Sequence, residues 1–95
     1  DVESINKKNN YCDIGYMLRY DYWGKGFMTE AVIAVSDYLL NDRGYYLIEG
    51  YCNELNKASA KVMLNANFVK DGYIANRRLN EDGTYSGLEY YSKSR

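Results

Sequence analysis

The reading of this chain turns on Tyr22-Trp23-Gly24-Lys25-Gly26-Phe27-Met28-Thr29-Glu30-Ala31, where two closely spaced glycines separate two hydrophobic patterns of different period. Upstream, Tyr11 to Tyr20 (YCDIGYMLRY) places apolar residues at Cys12, Ile14, Tyr16 and Leu18, the period of two of a β-strand. Downstream, Met28, Val32, Val35 and Leu39 recur at helical spacing, and Ala31 and Tyr38 widen the stripe. This predicts an amphipathic helix of about four turns from Met28 to Arg43. Asp21 to Thr29 is then a tight loop leading from a strand into a helix. Such a loop presents backbone N–H groups, and the helix N-terminus adds partial positive charge. Without a Cβ at the glycines, a phosphate or pyrophosphate approaches the backbone closely.

The remaining elements follow from punctuation and period. Asp1 to Asn10 is polar and reads as a loop or the tail of an earlier element. Arg43 suits the end of the first helix, and Gly44 is a natural C-cap. Tyr45 to Cys52 (YYLIEGYC) is the next strand. Asn56 opens a second helix, NKASAKVMLNAN, as an N-cap for the donors at Ala58 and Ser59. Val62, Met63 and Ala66 face its core side, and Asn67 falls where a helix ends in a left-handed residue. Phe68 to Asn76 and Thr84 to Ser92 read as strands joined by a turn at Asn80-Glu81-Asp82-Gly83, since Asp-Gly readily supplies positive φ. The expected fold is α/β, a mixed sheet in β-α-β-α-β-β order, with its first three elements forming a right-handed parallel unit. Residues 1–95 hold a single domain with no internal repeat or linker.

Composition narrows the chemistry. The 95 residues are 46% hydrophobic and 26% charged, with a net charge of −1 and 12 tyrosines. That balance gives no electrostatic footprint for nucleic acid and no polybasic membrane patch. The longest apolar run, Ala31 to Val35, is too short to span a bilayer, and no signal peptide is visible. A soluble, cytoplasmic protein is expected. Histidine is absent, which removes His-based triads and most zinc sites, so no metal is expected. Cys12 and Cys52 read as small buried hydrophobes, with no histidine to activate either thiol. Acid–base work then falls to carboxylates, tyrosines, a terminal amine, backbone or water. Glu49, Glu54 and Asp13 are available, though none is singled out.

Known phosphate loops fail against the glycine segment. A dinucleotide fingerprint wants a third glycine where Thr29 stands, although Glu49 lies near the expected acidic position. A P-loop wants Gly-Lys-Ser/Thr after a four-residue gap, and none is present. By contrast, IGYMLRYDYWGKGFMTEAV resembles motif A of the GCN5-related N-acetyltransferase (GNAT) family, in the branch of the ribosomal-protein N-terminal acetyltransferases. Asn56-Lys57-Ala58-Ser59, with a helix ending at Asn67-Phe68, resembles that branch's motif B. Both motifs stand in the right order and separation, and the resemblance covers residues 12 to 92.

The resemblance implies the C-terminal half of an acyl-CoA N-acyltransferase fold, with acetyl-CoA as cosubstrate and an amine as acceptor. It implies that Trp23, Gly24, Lys25, Gly26, Phe27, Met28 and Thr29 hold the CoA pyrophosphate through main-chain N–H groups. Met17 and Leu18 would contact the pantetheine arm and the thioester carbonyl through backbone. Asn56 would hold the pantetheine side, and Ser59 would stabilise or protonate the departing thiolate. Several positions depart from the family pattern. Trp23 replaces the Arg or Gln common in the wider family, and Met28 stands where glycine or alanine is commoner. Asn65 replaces a basic residue, which shifts contacts to the outer CoA phosphate onto Lys25 or Lys61. Asn67 replaces a glycine, and Gly87 falls near a position that often carries aspartate.

Only about ten residues precede the first recognisable strand, and the chain starts at Asp1 without an initiator methionine. The strands that build the acceptor side in this family are therefore expected to be missing, leaving the sheet open. A fragment, a split protein, a homo-oligomer or a complementing chain covering that edge is expected. Two functions follow: an N-acetyltransferase acting on a protein N-terminus or small amine, or a catalytically incomplete CoA-binding or interaction module.

Overall fold

The computed structural model describes the backbone at residues 4–6, 10–14 and 25–95, and side chains at 10–14 and 28–95. Strand β1 (Ser4–Asn6) is followed by β2 (Tyr11–Asp13) and helix α1 (Lys25–Asp37), which runs into a π turn, Tyr38–Asp42. Then come β3 (Leu47–Asn53), α2 (Lys57–Asn65), β4 (Val69–Leu79) and β5 (Tyr85–Ser94). The five strands form one mixed sheet in the order β1-β2-β3-β5-β4. β2 and β3 are parallel, Tyr11 opposite Leu47 and Asp13 opposite Glu49. The Ile14 N–H carries the pairing one step further, donating to the Glu49 carbonyl at 2.8 Å. β5 runs antiparallel between β3 and β4, so the last strand, rather than its hairpin partner, completes the centre of the sheet.

Both helices share one core on one face of the sheet. β3 alternates strictly, with Ile48, Gly50 and Cys52 buried and Leu47, Glu49, Tyr51 and Asn53 half-buried. Ile48 and Cys52 join Cys12 of β2 and Ile14 just after it, Met28 and Val32 of α1, Val62 and Met63 of α2, and Tyr91 of β5 in a single cluster. Burying one such side chain fully contributes roughly 1.5–3 kcal/mol. Lys93 of β5 ties down the far end of α1: its Nζ donates to Ser36 Oγ and Asp37 Oδ1, each at 3.0 Å. Every residue of β4 is exposed.

The expected β-α-β-α-β-β order is present with one strand added. The segment read as a leading loop contains β1, three residues paired antiparallel to β2, Ser4 opposite Asp13 and Asn6 opposite Tyr11. Three residues are too few to display a period, so this strand exists through its tertiary pairing. The first helix starts at Lys25 rather than Met28, because the apolar stripe begins one turn after the helix does. Lys25 to Phe27, expected on the loop ahead of the helix, are helical residues. Tyr38, expected on the buried stripe, is 48% exposed. The wider π turn swings Leu39 and Leu40 inward together and leaves Tyr38 outside. Of the strand predicted over 11–20, residues 15–20 lie outside the described residues, and with them Tyr16 and Leu18. β4 and β5 each extend beyond the predicted ends, to Leu79 and Ser94.

The predicted caps are in place. Gly44, Asn67 and Gly83 have φ of 76°, 72° and 88°, and the Asn56 side chain accepts from the Ser59 N–H at 3.1 Å. Gly87 is needed for a different reason, close approach. A Cβ there would meet Tyr73 Cε1 and Cζ at 2.5 Å and the Ile74 carbonyl oxygen at 2.6 Å. The ring has some freedom, but the carbonyl belongs to the paired strand. Gly87→Ala is therefore expected to destabilise the fold by roughly 1–3 kcal/mol. Urea denaturation checks this, and an unchanged midpoint would mean that β4 gives way without cost.

Candidate cofactor and acceptor site

Two parallel strands deliver the chain to the same end of the sheet, and each is followed by a helix. α1 follows β2, α2 follows β3, and the two helices pack against each other. Their N-termini therefore belong to the carboxyl end of the parallel pair, where open α/β sheets bind ligands. The first N–H groups of each helix have no intrahelical acceptor. Neither first turn carries an acidic residue, so nothing in them opposes an anion.

Of the residues expected to hold a cofactor, Met17, Leu18, Trp23 and Gly24 lie outside the described residues. Lys25, Gly26, Phe27, Met28 and Thr29 form the start of α1. Met28 is 5% exposed and part of the core, so its side chain is taken up by packing. Thr29 is half-buried. On the second helix, Asn56 is held at both ends: its N–H donates to the Asn53 carbonyl at 2.8 Å, and its Oδ1 takes the Ser59 N–H. Its amide nitrogen remains uncommitted among the described residues. Ser59, half-buried in the first turn, has its N–H engaged by Asn56, while its hydroxyl has no partner among the described residues. A hydroxyl donor at a helix N-terminus suits a developing anion such as a thiolate.

Two of the three available carboxylates differ sharply. Glu49 sits beside Asp13 across the parallel pair, on the sheet face away from the helices. Burial, then the charges of Asp13 and Asp71, push its carboxyl above the ordinary value. Glu54 is the opposite case. The Gly87 N–H, then the Tyr73 hydroxyl, hold it below the ordinary value; both bond to Oε2, at 2.5 and 2.7 Å. A carboxylate fixed in its ionised form is a poor proton acceptor and a good electrostatic anchor. Tyr73 and Gly87 carry no signal in the sequence for this role, since they lie 19 and 33 positions from Glu54. The only hint is Gly87 itself, standing where an acidic side chain is common in the resembled family.

The cysteines stay in the structural role read from sequence. Both are free and buried; burial raises the Cys12 thiol and pushes Cys52 up to about 11, away from a reactive thiolate. Among the described residues, no three His, Cys, Asp or Glu side chains converge on a metal position. None of the described helices is long and apolar enough to cross a membrane.

The acetyltransferase (GNAT) domain profile matches residues 2–69. The uncharacterized N-acetyltransferase p20 of Bacillus licheniformis is 34% identical over 70 residues, 74% of this chain and 39% of that protein. The probable N-acetyltransferase YjcK of Bacillus subtilis strain 168 is 38% identical over 72 residues, 76% of this chain and again 39% of the relative. The chain thus spans about two-fifths of the length of these relatives. Among solved structures, a ribosomal-protein-S5-alanine acetyltransferase from Vibrio fischeri superimposes with a TM-score of 0.78 at 23% identity, covering 98% of this chain and 51% of that one. At that identity the likeness is one of fold. With the profile and both relatives agreeing over most of its length, the chain belongs to the GNAT acetyltransferase family.

Proposed function

We propose that the protein is an acetyl-CoA-dependent N-acetyltransferase acting on a primary amine, and that these residues form its cofactor half. The observation that carries this reading is the pair of helix N-termini at the carboxyl end of β2 and β3, free of acidic residues and bearing Asn56 and Ser59. In this reading the start of α1, Lys25 to Thr29, holds the pyrophosphate through backbone donors, together with Trp23 and Gly24 before it. Met17 and Leu18 lie along the pantetheine arm. The Asn56 amide orients that arm, and the Ser59 hydroxyl donates to the leaving sulfur. Acetyl-CoA supplies, when bound, the thioester carbonyl that a neutral amine attacks. Glu49, next to Asp13, is the carboxylate whose surroundings best suit it to exchange a proton, and in this reading it takes the amine proton through water.

The acceptor in this reading is an N-terminal α-amine or a small-molecule amine. The branch of ribosomal-protein N-terminal acetyltransferases is supported by the motif B resemblance. A cytoplasmic setting belongs to the same reading, and two unpaired thiols suit a reducing compartment.

A second reading, a CoA-binding or interaction module completed by further polypeptide in cis or by another copy, has its own support. On the sheet face away from the helices, Val69 and Ile74 are exposed and Tyr51 and Tyr90 half-buried, with no covering element among the described residues.

Calorimetric titration with acetyl-CoA tests the cofactor half. Saturable binding is expected, weakened at least about tenfold by Gly26→Trp, which places a side chain in the first turn of α1. Binding that is absent, or indifferent to this change, counts against the assignment. Glu49→Gln tests the proton acceptor in two ways. Acetylation by the parent is expected to rise with pH as the Glu49 carboxyl ionises, and the variant is expected to lose that limb. A raised folded-state pKa means the fold prefers the neutral group, so stability falls as pH climbs through it. The variant should therefore melt higher than the parent at pH 7, with the gain fading below the ordinary carboxylate range. A lower melting temperature at pH 7 would contradict the burial argument.

A further inference from the structure

α2 does not hold its own start. Its buried residues, Val62 and Met63, lie beyond the first turn, while Asn56, Lys57 and Ala58 are exposed. Packing in the core therefore fixes the middle of the helix. The position of its cap, and with it the Ser59 hydroxyl, is left to the connection from β3.

That connection is fastened to β5 at two successive residues. Asn53 Oδ1 accepts the Leu55 N–H and the Ser86 hydroxyl, each at 2.9 Å, and Ser86 is 3% exposed. Glu54 then stands opposite Gly87, one step beyond the last ladder pair, Asn53 with Leu88. A hydrogen-bonded antiparallel pair exchanges two backbone bonds. Here the Glu54 N–H donates to the Gly87 carbonyl at 2.9 Å, but the Gly87 N–H donates to the Glu54 carboxylate. The side chain takes the place of the Glu54 carbonyl, so the backbone turns toward α2 without orphaning a donor on β5. From β4, the Tyr73 hydroxyl donates to the same carboxylate oxygen at 2.7 Å. Its ring lies where a side chain on residue 87 would stand.

Asn56 follows two residues later. Its N–H donates to the Asn53 carbonyl at 2.8 Å, and its Oδ1 accepts the Ser59 N–H at 3.1 Å. A short path of backbone and hydrogen bonds thus joins Tyr73 and Gly87 to Ser59. We infer that Glu54, clasped by Gly87 and Tyr73, is a positioning residue for acyl transfer: it sets the start of α2 so that the Ser59 hydroxyl meets the sulfur of bound CoA. The inference rests on the cofactor reading of Ser59, and it gives Glu54 no ligand of its own. A displacement of about 1 Å at a reacting group costs on the order of 10²-fold in rate, so a hinge of this kind matters at a distance.

The test compares CoA with desulfo-CoA, which lacks only the sulfur, by calorimetric titration of the whole chain at about pH 8.5, where free thiols begin to ionise. The parent is expected to prefer CoA by about fivefold or more, because a hydroxyl donor at a helix start favours the thiolate. Glu54→Ala is expected to lose nearly all of that preference and Tyr73→Phe part of it. Glu54→Gln is expected to keep most of it, since its amide oxygen still accepts both bonds. Desulfo-CoA affinity is expected to stay within about twofold throughout. A role confined to stability would lower the melting temperature and leave the preference for sulfur unchanged. A second readout needs no ligand: hydrogen exchange at the Ser59 amide is expected to quicken about tenfold in Tyr73→Phe, relative to the Met63 amide of the same helix. Should Glu54→Ala fail to fold by circular dichroism, Tyr73→Phe carries both measurements. Unchanged Ser59 exchange in folded Tyr73→Phe, or an undiminished preference for sulfur in the folded Glu54→Ala and Tyr73→Phe variants, would overturn the inference. No preference for sulfur in the parent, with Ser59 exchange quickened as expected, would count against the cofactor reading and support the clasp.

Discussion

Three residues of parallel pairing, Tyr11–Asp13 against Leu47–Glu49, determine where everything else in this protein lies. Parallel neighbours cannot be joined by a tight turn, so the chain between them must cross over a face of the sheet. α1 is part of that crossover, and its apolar stripe covers the face to which Cys12, Ile48 and Cys52 point. Because both strands run the same way, the helix that comes after each starts at one end of the sheet. A weaker or shifted pairing would separate the two helix starts, and no single ligand could then reach both.

Local hydrogen bonds refine what the pairing makes possible. Asn56 spends its carbonyl oxygen on the Ser59 N–H, which starts α2 cleanly and leaves its amide nitrogen and the Ser59 hydroxyl uncommitted. The carboxylates divide by environment rather than by type. Glu49 faces another acid and is partly desolvated, which favours its protonated form. Glu54 receives an N–H and a hydroxyl, which favours its charge. Two glutamates five positions apart thus differ in kind, one suited to exchange a proton and the other to stay charged.

What was legible in the sequence was what depends on near neighbours. The Asn56 cap, the left-handed Asn67, and the glycines at 44 and 83 are each settled within a few residues, and each is found as read. Helical and strand periods located α1, α2, β3, β4 and β5 because one face of each is apolar or its neighbours are turns. Strand β1 was missed because three residues carry no period, and its existence depends on Asp13, Cys12 and Tyr11 across the ladder. The start of α1 was placed late because Gly26, a poor helix former, sits in its first turn. The Glu54–Tyr73–Gly87 arrangement brings together β3's exit, β4 and β5, contacts that no local pattern encodes. Of the candidate site, the residues on α1 and α2 are described; Met17, Leu18, Trp23 and Gly24 are not.

The central claim is that two helix starts, far apart in sequence, act on one ligand. It is tested most directly by following backbone amide resonances in an isotope-labelled sample during titration with CoA. The amides of Gly26 to Thr29 and those of Ala58 and Ser59 are expected to shift together along one saturation curve. Shifts confined to one of the two helices, or scattered over β4 and β5 with both helix starts silent, would contradict the account.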